Sequence, residues 1–499
     1  MAKSQKHSIL SVFADKRMLV VLLLGFASGL PLALTGSTMQ AWLTDSKLSV
    51  GSIGLFGMVG LPYSLKFVWA PFLDRYALPF LGLRRGWGIV SQLCLAVAVA
   101  VLAHISPVTD TTSFALVALV IAFFSASLDI VVDAYRAEIL DKDAYGAGAG
   151  VGTTGYRLGM LISGSVGLIL ADGHLSWKNV YLVMAAVCLL GAVVLFLSPE
   201  PKVKRGAANA GLRDTVTLPF MELFQRSGAL EILLFIMIYK LSTLMATALT
   251  TNYLMSLGYS KTVIGLINKN VGLVATIFGG LTGGGLMVKF GLKRSLWIFG
   301  IAQSIVGFTF WALPQLQSAD AETANTAIMA AIVFVDNFMM GMGASAITGF
   351  MMSMSSLQFT GTQFALFSSL PAVTRVILTS QAGNLVEKFG YGPFFLSTVP
   401  MAIPGLLLLL RFDHWQSPAA LVKKRISLYD KVTIVVFMIS MIAISSDALW
   451  RWMDKKDVGQ HVVIWGAIGT VCVIAAGLMK PLIQRLFVTI PVARVRRQG

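Results

Sequence analysis

Charge is scarce in this sequence. Only 12% of its 499 residues are Asp, Glu, Lys or Arg, about half the share of an ordinary soluble domain. The chain is also 56% hydrophobic, so it has too little polar surface to cover itself in water. That combination excludes a soluble globular fold. Acidic residues are scarcer than basic ones, 23 against 39, which leaves a net charge of +16. A basic chain can signal nucleic acid, but here the Lys and Arg sit in short loops between apolar runs, where they set membrane topology. No nucleic-acid partner is expected. Cys94, Cys188 and Cys472 all fall inside apolar runs and make no disulfide framework. His7, His104, His174, His414 and His461 are scattered, so neither a metal site nor a cofactor is expected. The run Gly146 to Gly152 superficially suggests a nucleotide fingerprint, but it follows a polar loop, not a strand. No nucleophile elbow, P-loop or zinc motif is visible, which argues against a membrane-embedded enzyme acting on lipid.

What the sequence does have is long apolar runs. About 20 such residues cross the hydrocarbon core, and helices satisfy their own backbone there. Fourteen spans are read, near 18–43, 51–73, 86–106, 112–134, 147–171, 177–198, 229–256, 262–288, 294–313, 325–353, 362–386, 392–411, 432–450 and 461–484. The first is too long for a signal-peptide core and lacks a small-residue cleavage site, so it stays as a span. Most Lys and Arg fall on one side, among them Lys16, Arg17, Arg75, Arg84, Arg85, Lys202, Lys204, Lys293 and Arg294. That side is expected to be cytoplasmic and to hold both termini. The organisation expected is a six-helix half at 1–200, a connector at 201–228, a second six-helix half at 229–411, a linker at 412–431, an extra helix pair at 432–484 and a basic tail at 485–499.

The halves show weak parallel similarity. Pro71-Phe72-Leu73-Asp74-Arg75-Tyr76 and Leu83-Arg84-Arg85-Gly86 follow the second span. Gly285 through Arg294 follows the eighth with a similar pair of basic clusters, and Tyr156-Arg157 parallels Thr374-Arg375. Two such repeats with a pathway between them describe the major facilitator plan. The loop after the second span resembles that superfamily's signature, Gly-x-x-x-Asp-Arg-x-Gly-Arg-Arg, in loosened form. Asp74, Arg75, Arg84 and Arg85 match, Ala70 replaces the leading Gly, and the spacing is stretched.

Ionisable residues at membrane depth are expensive and therefore functional candidates. Lys66 either snorkels to the cytoplasm or faces the cavity. Asp129 and Asp133 share one helix face. Asp133 reads as a structural partner for a basic residue of the 75–85 loop, within a gate formed with Asp74, Arg75, Arg84 and Arg85. Asp129, deeper and beside Ser125 and Ser127, is a candidate for proton coupling or substrate contact. Lys240 (next to Tyr239) and Lys269 (between Asn268 and Asn270) read as cavity-lining, and Asp336 with Asn337 offers a counter-charge. Arg157 and Arg375 either grip a carboxylate or tie helices within a half. Glycines such as Gly25, Gly29, Gly155 and Gly159 recur at helical spacing and let helices approach closely.

Longer stretches resemble the AmpG muropeptide permeases. They include Gly25 through Thr35 running on to Gln40-Ala41-Trp42, Lys66 through Pro71 and Gly155-Tyr156-Arg157-Leu158-Gly159-Met160. Tyr239-Lys240-Leu241, Asn268-Lys269, Gly272 through Thr276 and Thr362-Gln363-Phe364-Ala365-Leu366 belong to the same set. The likeness covers roughly 18–411, and the extra helix pair is also similar to that family. It implies proton-driven import of GlcNAc-1,6-anhydro-MurNAc, free or peptide-bearing, across the bacterial inner membrane by a monomeric carrier. Such import feeds cell-wall recycling and, in some bacteria, β-lactamase induction. Gln40, Trp42, Tyr63, Asn268, Asn337 and Gln363 then become candidates to hydrogen-bond or stack on sugar. Lys66, Arg157, Tyr239, Lys240, Lys269 and Arg375 complete the candidate substrate set. Asp129 and Asp336 are the candidates for proton coupling. Two departures stand out: Ser242 and Thr243 follow Lys240-Leu241 where the family pattern has an acid, and Asp336 stands where a Glu is expected. A siderophore importer and an acetyl-coenzyme A carrier of the same superfamily are the rival readings.

Overall fold

The computed structural model describes residues 9–48, 56–79, 81–173, 175–202, 212–226, 228–318, 322–379 and 382–416. Among these residues the secondary structure is helical, with one isolated bridge between Leu78 and Gly82. Ten helical segments are long and apolar enough to cross a membrane, from Lys16–Asp45 to Tyr391–Gln416. The twelve helices used below are α1 (Lys16–Thr35), α2 (Ala70–Arg75), α3 (Arg84–Leu102), α4 (Thr111–Ile139), α5 (Tyr145–Leu161), α6 (Trp177–Leu197), α7 (Leu212–Gln225), α8 (Ala229–Ile238), α9 (Leu273–Phe290), α10 (Leu292–Leu316), α11 (Glu322–Met354) and α12 (Thr360–Thr379).

The second of the expected spans is broken. Phe56 to Arg75 is a chain of short helices, Phe56–Gly60, Leu61–Leu65, Lys66–Val68 and α2, with Pro62 and Pro71 at the starts of two pieces. Proline has no N–H to give to the preceding turn, so it starts a helix better than it continues one. The described part of the eleventh span comprises α12 and Ala382–Phe389. The thirteenth and fourteenth spans lie outside the described residues. The connector expected as a loop carries a helix, α7.

Lipid explains what the surface shows. Val97, Leu190, Phe196 and Leu197 are each 60% or more exposed, which water would punish and hydrocarbon accepts. Helix approach depends on glycine. A Cβ on Gly155 or Gly159 would collide with the backbone of Leu22 or Phe26, so α1 and α5 pack backbone to backbone. Small residues are what such contacts require in a membrane, where no hydrophobic force pulls helices together. α9 and α11 use the same device through Gly279, Gly283 and Gly341.

Candidate functional site

Two regions gather the polar side chains: a clasp where α2, α3 and α4 meet α12, and an interior cluster halfway along the helices. The clasp lies at the end of the bundle that carries the basic loops, called here the basic end.

Asp74, at the C-terminal end of α2, is 6% exposed. Its carboxylate accepts from Arg84 Nη2 at 2.7 Å, Gly361 N at 3.0 Å, and Thr362 N and Oγ1 at 2.6 Å each. A helix N-terminus presents unpaired N–H groups and the positive end of its dipole. The acid therefore clasps the first turn of α12. Arg84 is held at its other side by Glu138 Oε1, at 2.5 Å. Arg136 lies 5.9 Å over the Phe364 ring. The same end is sealed by glycine: a Cβ on Gly284 would fall 2.8 Å from the Gly146 carbonyl oxygen, across the α5–α9 contact.

α7 reinforces the closure. Gln363 Nε2 donates to Pro219 O at 3.1 Å and to Glu222, and Gln363 Oε1 accepts from Ser356 N at 2.7 Å. Arg226 pairs with Glu222 at 2.8 Å and donates to Met354 O at 2.5 Å.

The interior cluster has two sides. On one, Asp129 accepts from Ser28 on α1 and lies within electrostatic range of Lys66, Asp133 and Arg136. Tyr63 donates to Ser125 at 2.8 Å, and Tyr156 stands near Asp129 and Tyr63. On the other side, Lys240 is in electrostatic range of Arg157, Arg375 and Asp336. Lys240 occupies the break between α8 and Leu241–Ala248. Asn268 starts a π-helical turn, Asn268–Gly272, ahead of α9. Such turns recur at functional sites because they leave backbone groups unpaired.

Several expected roles need correction. Trp42 is packed against Phe114, Tyr181 and Trp177, with ring centroids 5.0, 4.8 and 6.2 Å away, so it is core and not a cargo surface. Tyr239 is buried, with its hydroxyl on Leu296 O at 3.0 Å, which ties it to α10. Gln363 is taken up by Pro219, Glu222 and Ser356, as above. Gln40 is exposed on the short helix Ser37–Asp45 beyond the Gly36 break. Asp133 pairs with Arg136 on its own helix at 2.6 Å, not with the 75–85 loop. Arg85 donates to Phe196 O at 2.9 Å, which anchors α3 to α6 rather than gating. Arg75 lies 5.4 Å over the Tyr76 ring. Asn337 donates to Val333 O at 2.9 Å and accepts from Thr276 at 3.3 Å, which links α11 to α9. The Lys269 side chain lies outside the described residues.

Four residues escaped the sequence reading: Glu138, Glu200, Glu222 and Thr362. Glu200 accepts the N–H groups of Leu83, Arg84 and Arg85, each at 2.9 Å, and so caps α3 from the far end of α6. For the three glutamates the signal was an acid near the basic loops, which alone cannot say which base it meets, and Thr362 stood only within a family-like stretch.

The fold and these polar clusters define a membrane transporter. The Major Facilitator Superfamily model matches residues 21–370. The anhydromuropeptide permease of Escherichia coli K12 is 42% identical over 402 residues, 80% of each chain. The putative transporter AmpG 4 of Rickettsia conorii is 33% identical over 412 residues, 81% of this chain and 98% of its own. Among solved structures, the proton:xylose symporter XylE bound to 6-bromo-6-deoxy-D-glucose superposes with a TM-score of 0.58 at 16% identity, covering 81% of this chain and 95% of its own. The chain belongs to the Major Facilitator Superfamily and, within it, to the AmpG muropeptide permease family.

Proposed function

We propose that this chain is a proton-coupled importer of GlcNAc-1,6-anhydro-MurNAc and its peptides across the bacterial inner membrane. The imported products would serve cell-wall recycling and, in some bacteria, β-lactamase induction. The observation that carries the reading is the 42% identity, over 80% of both chains, to a permease named for that cargo. The buried Lys66, Asp129 and Asp336 support it, because burying charge in a membrane without use is costly. A permease moves its cargo chemically unchanged, and the relatives are carriers, so we read the chain as a transporter and not as an enzyme.

The mechanism we favour is alternating access between two six-helix halves, 1–200 and 229–411, within a monomeric bundle of fourteen spans. Both termini and the basic end would be cytoplasmic. The closed gate at Asp74 then corresponds to a carrier loading from the periplasm. Cargo would meet Tyr63, Lys66, Arg157, Lys240, Asn268, Lys269 and Arg375. Asp129, held by Ser28, and Asp336, beside Lys240, would carry the proton. Protonating Asp336 removes the charge that faces Lys240, and protonating Asp129 removes the charge that faces Lys66.

The test is uptake of labelled anhydro-disaccharide, with and without peptide, into vesicles with an imposed pH gradient. We expect accumulation that collapses with a protonophore. Asp129→Asn or Asp336→Asn should abolish accumulation while leaving some exchange. Full gradient-driven uptake in both variants would refute the proton assignment. No uptake by the parent protein, beside a working control carrier, would refute the cargo.

A further inference from the structure

Three cations from opposite parts of the chain converge in the interior cluster. Arg157 is on α5, Arg375 is on α12, and Lys240 sits in the break after α8. Each is about halfway along its helical segment. Arg157 and Arg375 occupy matching positions of the sequence repeat and lie in range of one another. The Nε of Arg157 is buried without a hydrogen-bond partner, and so is Oδ1 of Asp336, which is 4% exposed. Buried polar groups are nearly always satisfied in a working structure. Arg375 is exposed and Arg157 half-buried, and like charges brought near one another repel, more strongly as water leaves. The group that satisfies an arginine fork and relieves that repulsion is a carboxylate, which guanidinium grips through two parallel bonds.

We infer that Arg157, Lys240 and Arg375 form a carboxylate subsite shared by the two parts of the chain, and that an anionic group on the cargo lets the cleft close over it. This rests on the importer reading above and names the feature of the cargo that the site selects. Without the anion, drawing α5 toward α12 brings cation onto cation. With it, the same motion brings each cation onto a shared counter-charge. Asp336 offsets Lys240 but lies on the second part of the chain, so it cannot bridge the two. A neutral sugar would enter the cleft and fail to draw it shut.

The experiment uses the full-length purified protein in proteoliposomes. Two cargos are compared: an anhydro-disaccharide tripeptide with free carboxylates, and the same molecule with every carboxylate amidated. The parent protein should take up the acid form at least roughly ten-fold faster, judged by Vmax/KM. Arg157→Gln should pull the acid-to-amide ratio toward one, and Arg157→Lys should restore part of it. If Arg157→Gln transports too little to score, cargo-induced thermal stabilisation gives the same comparison. There the acid form should raise Tm of the parent protein more than the amide, and the substitution should erase the difference. Equal handling of acid and amide by the parent protein overturns the subsite while leaving the importer reading intact. An unchanged ratio in Arg157→Gln does the same. Failure of the parent protein to take up either cargo overturns both.

Discussion

Asp74→Asn should open the basic end. Asp74 and Arg84 belong to neighbouring helices, and their pair survives any separation from α12. The three bonds from Gly361 N, Thr362 N and Thr362 Oγ1 do not. A hydrogen bond to a charged acceptor contributes roughly 1.5–3 kcal/mol, and one between neutral groups roughly 0.5–1.5. Neutralising the acceptor therefore costs about 1 kcal/mol per bond, or about 3 kcal/mol in the closed state alone. At about 1.4 kcal/mol per factor of ten, closed-to-open populations shift by roughly 100-fold. The readout is a cysteine at Ala147, which is fully buried in the closed seam, after Cys94, Cys188 and Cys472 are changed to Ser. A bulky thiol reagent should label it slowly in the parent background in nanodiscs, and far faster with Asp74→Asn. Equal labelling rates would refute the clasp as the determinant of closure.

Gly284→Leu should prevent the α5–α9 seam from closing, because its side chain would enter the Gly146 backbone; the same Ala147 cysteine should then label rapidly without any change at Asp74. Trp42→Ala should lower thermal stability by about 3–5 kcal/mol and leave the KM for cargo unmoved, and a KM that rises with no loss of stability would restore Trp42 to the substrate site. Asp15 caps α1 through Arg17 N at 2.8 Å, and the hydrogen bond to the Arg17 side chain holds its carboxyl below the usual carboxylate range. Its stabilising effect is thus present above the ordinary carboxylate pKa and fades as pH falls through the lowered value. Asp15→Asn should destabilise the protein slightly at pH 7, by about 0.5 kcal/mol for so exposed a pair, and by progressively less as the pH falls below the ordinary carboxylate range; a difference independent of pH would count against this account.

Hydropathy made most of the fold readable, because a span in lipid must be both long and apolar. It failed where proline divided the path, between Phe56 and Arg75, and where a polar connector held a helix. Asp74 and Arg84 stood out in the sequence, since an acid and a base beside a helix end have few alternatives. Glu138 and Thr362 did not, because their partners come from distant sequence. Trp42 and Tyr239 were misassigned for one reason. An aromatic residue with a polar edge suits a sugar and a helix junction equally, and only packing separates the two. Lys240, Arg157 and Asp336 stood out in the sequence because an ionisable residue inside an apolar run has no comfortable alternative.

The connector is fastened at both ends. Glu200 holds it to the first turn of α3, Glu222 holds it to Gln363 in the first turn of α12, and Arg226 holds it to Met354 at the end of α11. The covalent chain between these anchors therefore adds little to what the anchors already hold. A protease site placed at 203–211 and cut after folding should leave two fragments that co-purify. The same interval is where a fluorescent reporter could be spliced in, and its emission would follow the gate from the outside.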